Sequence, residues 1–142
     1  MRHGIEAGLV AAAVSGAPST LIALARGDDV LEGGRAAGTL LLPRERRTLP
    51  LLAAAVPVHL ALSVCWALVL ERALPPGREL AGGVAGGLAI AALDLGLVGR
   101  RLPEIRRLPQ PRQWADHVAY GLAVGAVLAR RRRVDSRPSC QI

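Results

Sequence analysis

The stretch LPLLAAAVPVHLALSVCWALVL, Leu49–Leu70, decides how the rest of the chain is read. It runs for 22 residues without a carboxylate or an arginine, and His59 and Ser63 are its main polar interruptions. A helix on the surface of a soluble bundle shows a polar face at 3.6-residue spacing. This one is apolar all round. At ~1.5 Å per residue it reaches about 33 Å, enough to cross a hydrocarbon core about 30 Å thick. It is therefore expected to span a membrane.

Three more apolar stretches lie on either side of it. Gly4–Ala25 is 22 residues long with Glu6 as its one charge. Leu80–Val98 is 19 residues, interrupted by Asp94. Trp114–Ala129 is 16 residues, with Asp116 and His117 near its start. This last stretch reaches only about 24 Å, so it must thin the bilayer or draw on snorkelling arginines, and Arg130–Arg133 follow it directly. The expectation is an all-α membrane bundle of four spans (4–25, 49–70, 80–98 and 114–129). These form one domain over residues 1–133, followed by a flexible tail at 134–142. Glu6 and the length of the first stretch argue against a cleavable signal peptide.

Pro18 and Pro57 fall inside spans, where each removes an N–H and kinks its helix. Ser15-Gly16-Ala17-Pro18-Ser19-Thr20 therefore reads as a bent, polar exit from the first span. Between spans 1 and 2, Glu32, Arg35 and Thr39 share one helical face, and Leu31, Gly34, Gly38 and Leu41 another. That pattern predicts a short amphipathic helix lying in the interface. Pro75-Pro76-Gly77 reads as a tight turn.

The composition agrees with membrane solvent. Hydrophobic residues make up 51% of the 142, and mean hydropathy is +0.35. Yet the formal charge is +7 and the pI is near 11.3. All 18 basic residues are arginine, with no Lys, Phe or Asn, which points to a GC-rich bacterial genome. The arginines flank the apolar stretches and stacking aromatics are scarce, so nucleic acid is excluded as a partner. The bilayer and its anionic headgroups are the expected ones. Eight arginines fall on the side of the termini and ten on the other, which leaves the positive-inside rule nearly balanced. The four-arginine run after the last span favours cytoplasmic termini in a plasma-membrane protein.

Ionisable groups inside spans are costly and count as site candidates. His59, Asp94, Asp116 and His117 all approach one side of the membrane, and Arg100, Arg101 and Arg112 border them as possible ion-pair partners. At least one of Asp94 and Asp116 is expected to point inward and pair with an arginine of that link or with His117. Glu6 lies at the opposite side, near the Arg130–Arg133 run. Small residues form ladders at four-residue spacing: Gly4, Gly8 and Gly16 in span 1, Gly83 and Gly87 in span 3, Gly121 and Gly125 in span 4. Such ladders let helix backbones approach closely.

Cys65 and Cys140 are 75 residues apart, with no ligand spacing around them, so neither a disulfide scaffold nor a metal site is expected. No nucleophile or phosphate-loop motif occurs, and no cofactor or enzymatic activity is expected.

Ser15–Thr20, Arg35-Ala36-Ala37-Gly38-Thr39, His59, Ala91–Asp94 with Arg100-Arg101, and Ala115-Asp116-His117 with Gly121 together resemble a family of small four-span membrane proteins of GC-rich actinobacteria. The resemblance implies the architecture and no activity. On these grounds the expected role is structural or accessory, as a subunit of a homo- or hetero-oligomeric membrane assembly. The alternative is a small transporter or proton-coupled channel using the intramembrane His and Asp residues.

Overall fold

The computed structural model describes residues 2–136; Met1 and 137–142, which include Cys140 and most of the expected tail, lie outside the described residues. Those described are helical, with no strand among them. Helix α1 is Arg2–Val14 and α2 is Ala17–Arg26. The short α3 is Glu32–Gly38, and α4 is Thr48–Ala73. Helix α5, Glu79–Leu93, continues into a π-helical turn at Asp94–Val98 and a 3-10 turn at Gly99–Arg101. Helix α6 is Pro103–Arg107 and α7 is Gln110–Asp135. Three helical stretches are long and apolar enough to cross a membrane: Arg2–Arg26 taken across its break, Thr48–Ala73 and Glu79–Arg101.

The first of these is two helices and not one bent one. Pro18, in the first turn of α2, has no N–H to offer the Val14 carbonyl. The Ser19 N–H, which would bond Ser15 in an unbroken helix, donates elsewhere. The chain therefore turns at Ser15-Gly16 and restarts. Gly27, at φ 71°, stops α2 in the left-handed conformation that closes helix ends, with the Asp28 N–H on the Ala23 carbonyl at 2.9 Å.

Helices α1 and α4 run antiparallel in close contact. A Cβ placed on Gly8 would stand 2.7 Å from Val64 Cα, and one on Gly4 would meet Glu71 and Leu68. Helices α5 and α7 approach more closely still. A Cβ on Gly83 would stand 2.3 Å from the Gly121 carbonyl oxygen, on Gly87 2.2 Å from that of His117, and on Gly125 2.3 Å from that of Glu79. A Cβ on Gly121 would lie 2.0 Å from the Gly83 carbonyl oxygen. Backbone meets backbone along this seam, where dispersion and Cα–H···O contacts act. The second glycine pair of α5, Gly82 and Gly86, faces α4 and receives the side chains of Leu74 and Leu70.

Helix α7 lies between α1 and α5 and buries Tyr120, Gly121, Val124, Gly125 and Leu128. The core it completes is built of small residues with a few large ones: Ala7, Ala11, Ala67, Leu70, Leu74, Ile90, Tyr120, Val124 and Leu128. The Tyr120 hydroxyl, buried with that core, donates to the Ser63 carbonyl of α4.

Several expectations need correction. Gly16 packs against nothing within 4 Å and instead forms the turn before α2. Gly38, outside the expected ladders, would place a Cβ 2.1 Å from the Leu51 carbonyl oxygen, which docks α3 on the first turns of α4. Val134 and Asp135, assigned to a flexible tail, are the last residues of α7.

Replacing Gly87 by Leu should lower the fold's stability in detergent by roughly 1–3 kcal/mol or more, because the obstacle is a backbone carbonyl that cannot swing away. Thermal unfolding of the purified variant measures it; an unchanged midpoint would show that the seam is not tight.

Candidate functional site

The polar residues gather where the first apolar stretch breaks. Asp116, half-buried on α7, accepts a hydrogen bond from the Ser19 N–H at 2.9 Å. The freed donor at the start of α2 thus ends on a carboxylate, an arrangement that the helix dipole favours. His59 sits on the exposed side of α4, and its Nε2 lies 3.0 Å from the Ala12 carbonyl oxygen, in the last turn of α1. A carbonyl can only accept, so Nε2 carries the proton. Both residues therefore satisfy backbone groups orphaned by the break. They are close enough that His59 and His117 interact electrostatically with Asp116.

His117 lies one helical step further along. Its Nδ1 is 2.7 Å from the Gln113 carbonyl oxygen, so Nδ1 is the protonated nitrogen, and its Nε2 faces Asp94 at 3.6 Å. With Nδ1 committed, Nε2 gains a proton only as the ring becomes cationic, and then it attracts Asp94. Asp94 begins the π-helical turn that ends the third apolar stretch, and π-helical turns are frequent at functional sites.

The arginines behave differently from the expectation. Arg112, nearly buried at the start of α7, is ion-paired with Asp28, which follows α2. No ion pair among the described residues includes Arg100 or Arg101, which are exposed. Asp94 and Asp116 are therefore held by a histidine and a backbone N–H, not by guanidinium groups. The reason lies in helical phase: the link from Gly99 to Pro109 coils into short helical turns that aim its arginines outward.

The opposite end is held by ion pairs. Arg131 grips Glu6 with two nitrogens, one of them donating at 2.6 Å. Arg132 donates to the Leu74 and Glu71 carbonyls, each at 2.8 Å, and to the Glu79 carboxylate at 3.1 Å. One guanidinium thereby closes the C-terminus of α4 and faces the acid in the first turn of α5, satisfying both helix dipoles. His3 and Asp135 meet at 2.9 Å nearby. Glu79 and Arg132 were not among the expected site residues. The signal existed: Arg132 continues the Gly121, Gly125, Leu128 face, and Glu79 follows the Pro75–Gly77 turn.

The connection between α2 and α4 is ordered by carboxylates as well. The Arg47 guanidinium at 2.9 Å, helped by the backbone N–H groups of Arg47 and Arg46, pulls the Glu45 carboxyl down to about 2. Arg35, with the Leu31 N–H, holds Asp29 below its usual range.

Two open depressions on the surface lie elsewhere. One is lined by Leu41–Glu45 and the other by Leu80, Ala126, Ala129, Arg130, Arg133 and Val134; neither reaches His59, Asp94, Asp116 or His117. Among the described residues no His, Cys, Asp or Glu side chains group as metal ligands. No protein-family model, curated protein or solved structure matches the chain.

Asp116→Ala strands the half-buried Ser19 N–H and should cost about 1–3 kcal/mol in thermal unfolding, whereas Asp116→Asn keeps an acceptor and should cost less. Equal losses would show that the charge, not the acceptor, matters. For Glu45 the sign follows from its depressed folded pKa. Its contribution is complete above the ordinary carboxyl value of 4.5 and disappears as pH falls toward about 2. The protection factors of the Arg46 and Arg47 amides, taken against the intrinsic exchange rate at each pH, should fall across that window in the wild type, and be already low and flat in Glu45→Gln.

Proposed function

We propose that the chain is a four-span protein of the cell membrane with both termini on the cytoplasmic side, and that its role is structural or accessory, as a subunit of a membrane assembly. The observation that carries this reading is the α5–α7 seam. Helix α7 runs antiparallel along α5 from Gly87 to Glu79, so it traverses the same thickness as a helix that is itself long and apolar enough to span. Its 26 residues reach about 39 Å, well beyond its apolar centre. The charged groups that follow that centre, Arg131 and Arg132, are neutralised by Glu6 and Glu79, which lowers the cost of holding a short apolar segment across the bilayer. In this reading α3 is an interfacial element docked on α4 through Gly34 and Gly38. The resemblance to small actinobacterial four-span proteins is in line with it.

A bundle whose helices meet backbone to backbone leaves little room for a permeation path, and its chemistry-bearing residues satisfy backbone groups. That favours a scaffold over a catalyst. The proposed partners are the bilayer and other copies or subunits within it; no cofactor is invoked.

One observation favours a second reading, a small proton-coupled transporter. The first apolar stretch is interrupted beside a carboxylate and two histidines, and broken helices of this kind form ion sites in transporters. In liposomes, proton flux that is lost in Asp116→Asn and His117→Gln would establish transport and overturn the scaffold role. Absence of flux, with the chain recovered in a larger complex from mild detergent, is the expected outcome.

The span count has its own test. Carbonate washing should leave the chain in the membrane pellet. In a chain otherwise free of cysteine, Arg78→Cys and Ser136→Cys should react alike with an impermeant maleimide, and Arg46→Cys oppositely. If position 136 behaves like position 46, α7 does not cross.

A further inference from the structure

Arg130–Arg133 are consecutive, so steps of ~100° distribute them around α7. Arg131 and Arg132 turn into the bundle, onto Glu6 and Glu79. Arg130 and Arg133, three residues apart, share an exposed face, and no ion pair among the described residues includes either. The acids at this end are otherwise engaged: Glu6 with Arg131, Glu79 with Arg132, Asp135 with His3, while Glu71 points toward Gly4 of α1.

The stripe that carries Arg130 and Arg133 continues back along α7 as Ala129 and Ala126. Across from it stands Leu80, drawn close because Gly125 would place a Cβ 3.2 Å from the Leu80 Cα. With Val134 these residues line an open groove of about 420 Å³. Its floor is alanine and leucine, its rim is two guanidinium groups, and no lining residue is acidic.

We propose that this groove holds one anionic glycerophospholipid. Its phosphate lies across Arg130 and Arg133, and an acyl chain lies over Leu80, Ala126 and Ala129. The proposal rests on the four-span reading, which brings Arg130 to the end of a hydrocarbon crossing. Guanidinium groups bind phosphate as planar forks, and two of them outside any ion pair favour a headgroup of net negative charge over a zwitterionic one, whose ammonium they would repel. The apolar floor selects a lipid over free phosphate, because only a lipid covers it. The lipid's single negative charge would thus offset half of the charge on the two arginines of the run that the bundle leaves outside.

The experiment uses the full chain in nanodiscs of phosphatidylcholine containing a minority of phosphatidylglycerol, released into mild detergent and weighed by native mass spectrometry. The wild type should retain one phosphatidylglycerol. So should Arg100→Gln/Arg101→Gln, which removes the same charge at the other end. Arg130→Gln/Arg133→Gln should bind it roughly 25-fold more weakly, since each arginine near an anionic surface contributes about 1 kcal/mol, a factor of about five. Ala129→Trp keeps every charge and fills the floor, and it should lose the lipid too. Retention by either of these variants equal to wild type overturns the site, as does displacement of the lipid by inorganic phosphate. Phosphatidylcholine remaining on all four proteins shows that each was embedded, so loss of the site is distinguished from loss of insertion.

Discussion

The arrangement depends on the absence of four side chains. Gly83, Gly87, Gly121 and Gly125 bring α5 and α7 together until each helix touches the other's carbonyl oxygens. In lipid no hydrophobic force drives helices together, because tails are as apolar as leucine, so dispersion at short range must do it. The seam also fixes register. It sets the ring of His117 opposite Asp94 and the Arg132 guanidinium opposite Glu79, at the two ends of the same contact. A shift of one helical turn, about 5.4 Å, would separate both pairs.

The two ends of the bundle solve different problems. At the end where α1 begins and α7 finishes the difficulty is charge, and it is met by charge: a bidentate Glu6–Arg131 pair, and one arginine shared between the carbonyls of α4 and the acid of α5. At the other end the difficulty is backbone. The break at Ser15-Gly16 leaves carbonyls of α1 and donors of α2 without helical partners, and side chains from α4 and α7 supply them. Buried backbone groups need such partners, so a histidine and an aspartate beside the break do not by themselves require catalysis.

Much of this was legible in the sequence, for a definable reason. The apolar length of Leu49–Leu70 and the four-residue glycine spacing are local properties that survive whatever the helices pack against. What was not legible depended on partners or on phase. Gly16 belongs to a ladder by spacing, yet Pro18 breaks the helix there and removes it from the packed face. Arg112 lies near Asp94 and Asp116 in the chain, but at the start of α7 it faces Asp28, a residue 84 positions earlier that no periodicity links to it. The run Arg130–Arg133 looked uniform, and only its angular position on α7 divides it into two inward and two outward arginines. Gly34 and Gly38 share a face of α3 at the same four-residue spacing, but nothing in the sequence says that this face meets α4.

That division of the arginine run ties packing to solvent. Two guanidinium groups inside cancel two carboxylates and allow a short apolar helix to sit in the centre of the bundle. The other two, on the same turn, cannot be satisfied from within, because the carboxylates described at that end are engaged or point elsewhere. A charge left at the edge of hydrocarbon seeks either water or a counter-charge, and an arginine reaches both by extending toward the headgroups. The same four residues therefore hold α7 inward to its neighbours and present two charges on its outer face. A helix held by two ion pairs at one end, and by a backbone seam along its length, has little freedom to slide.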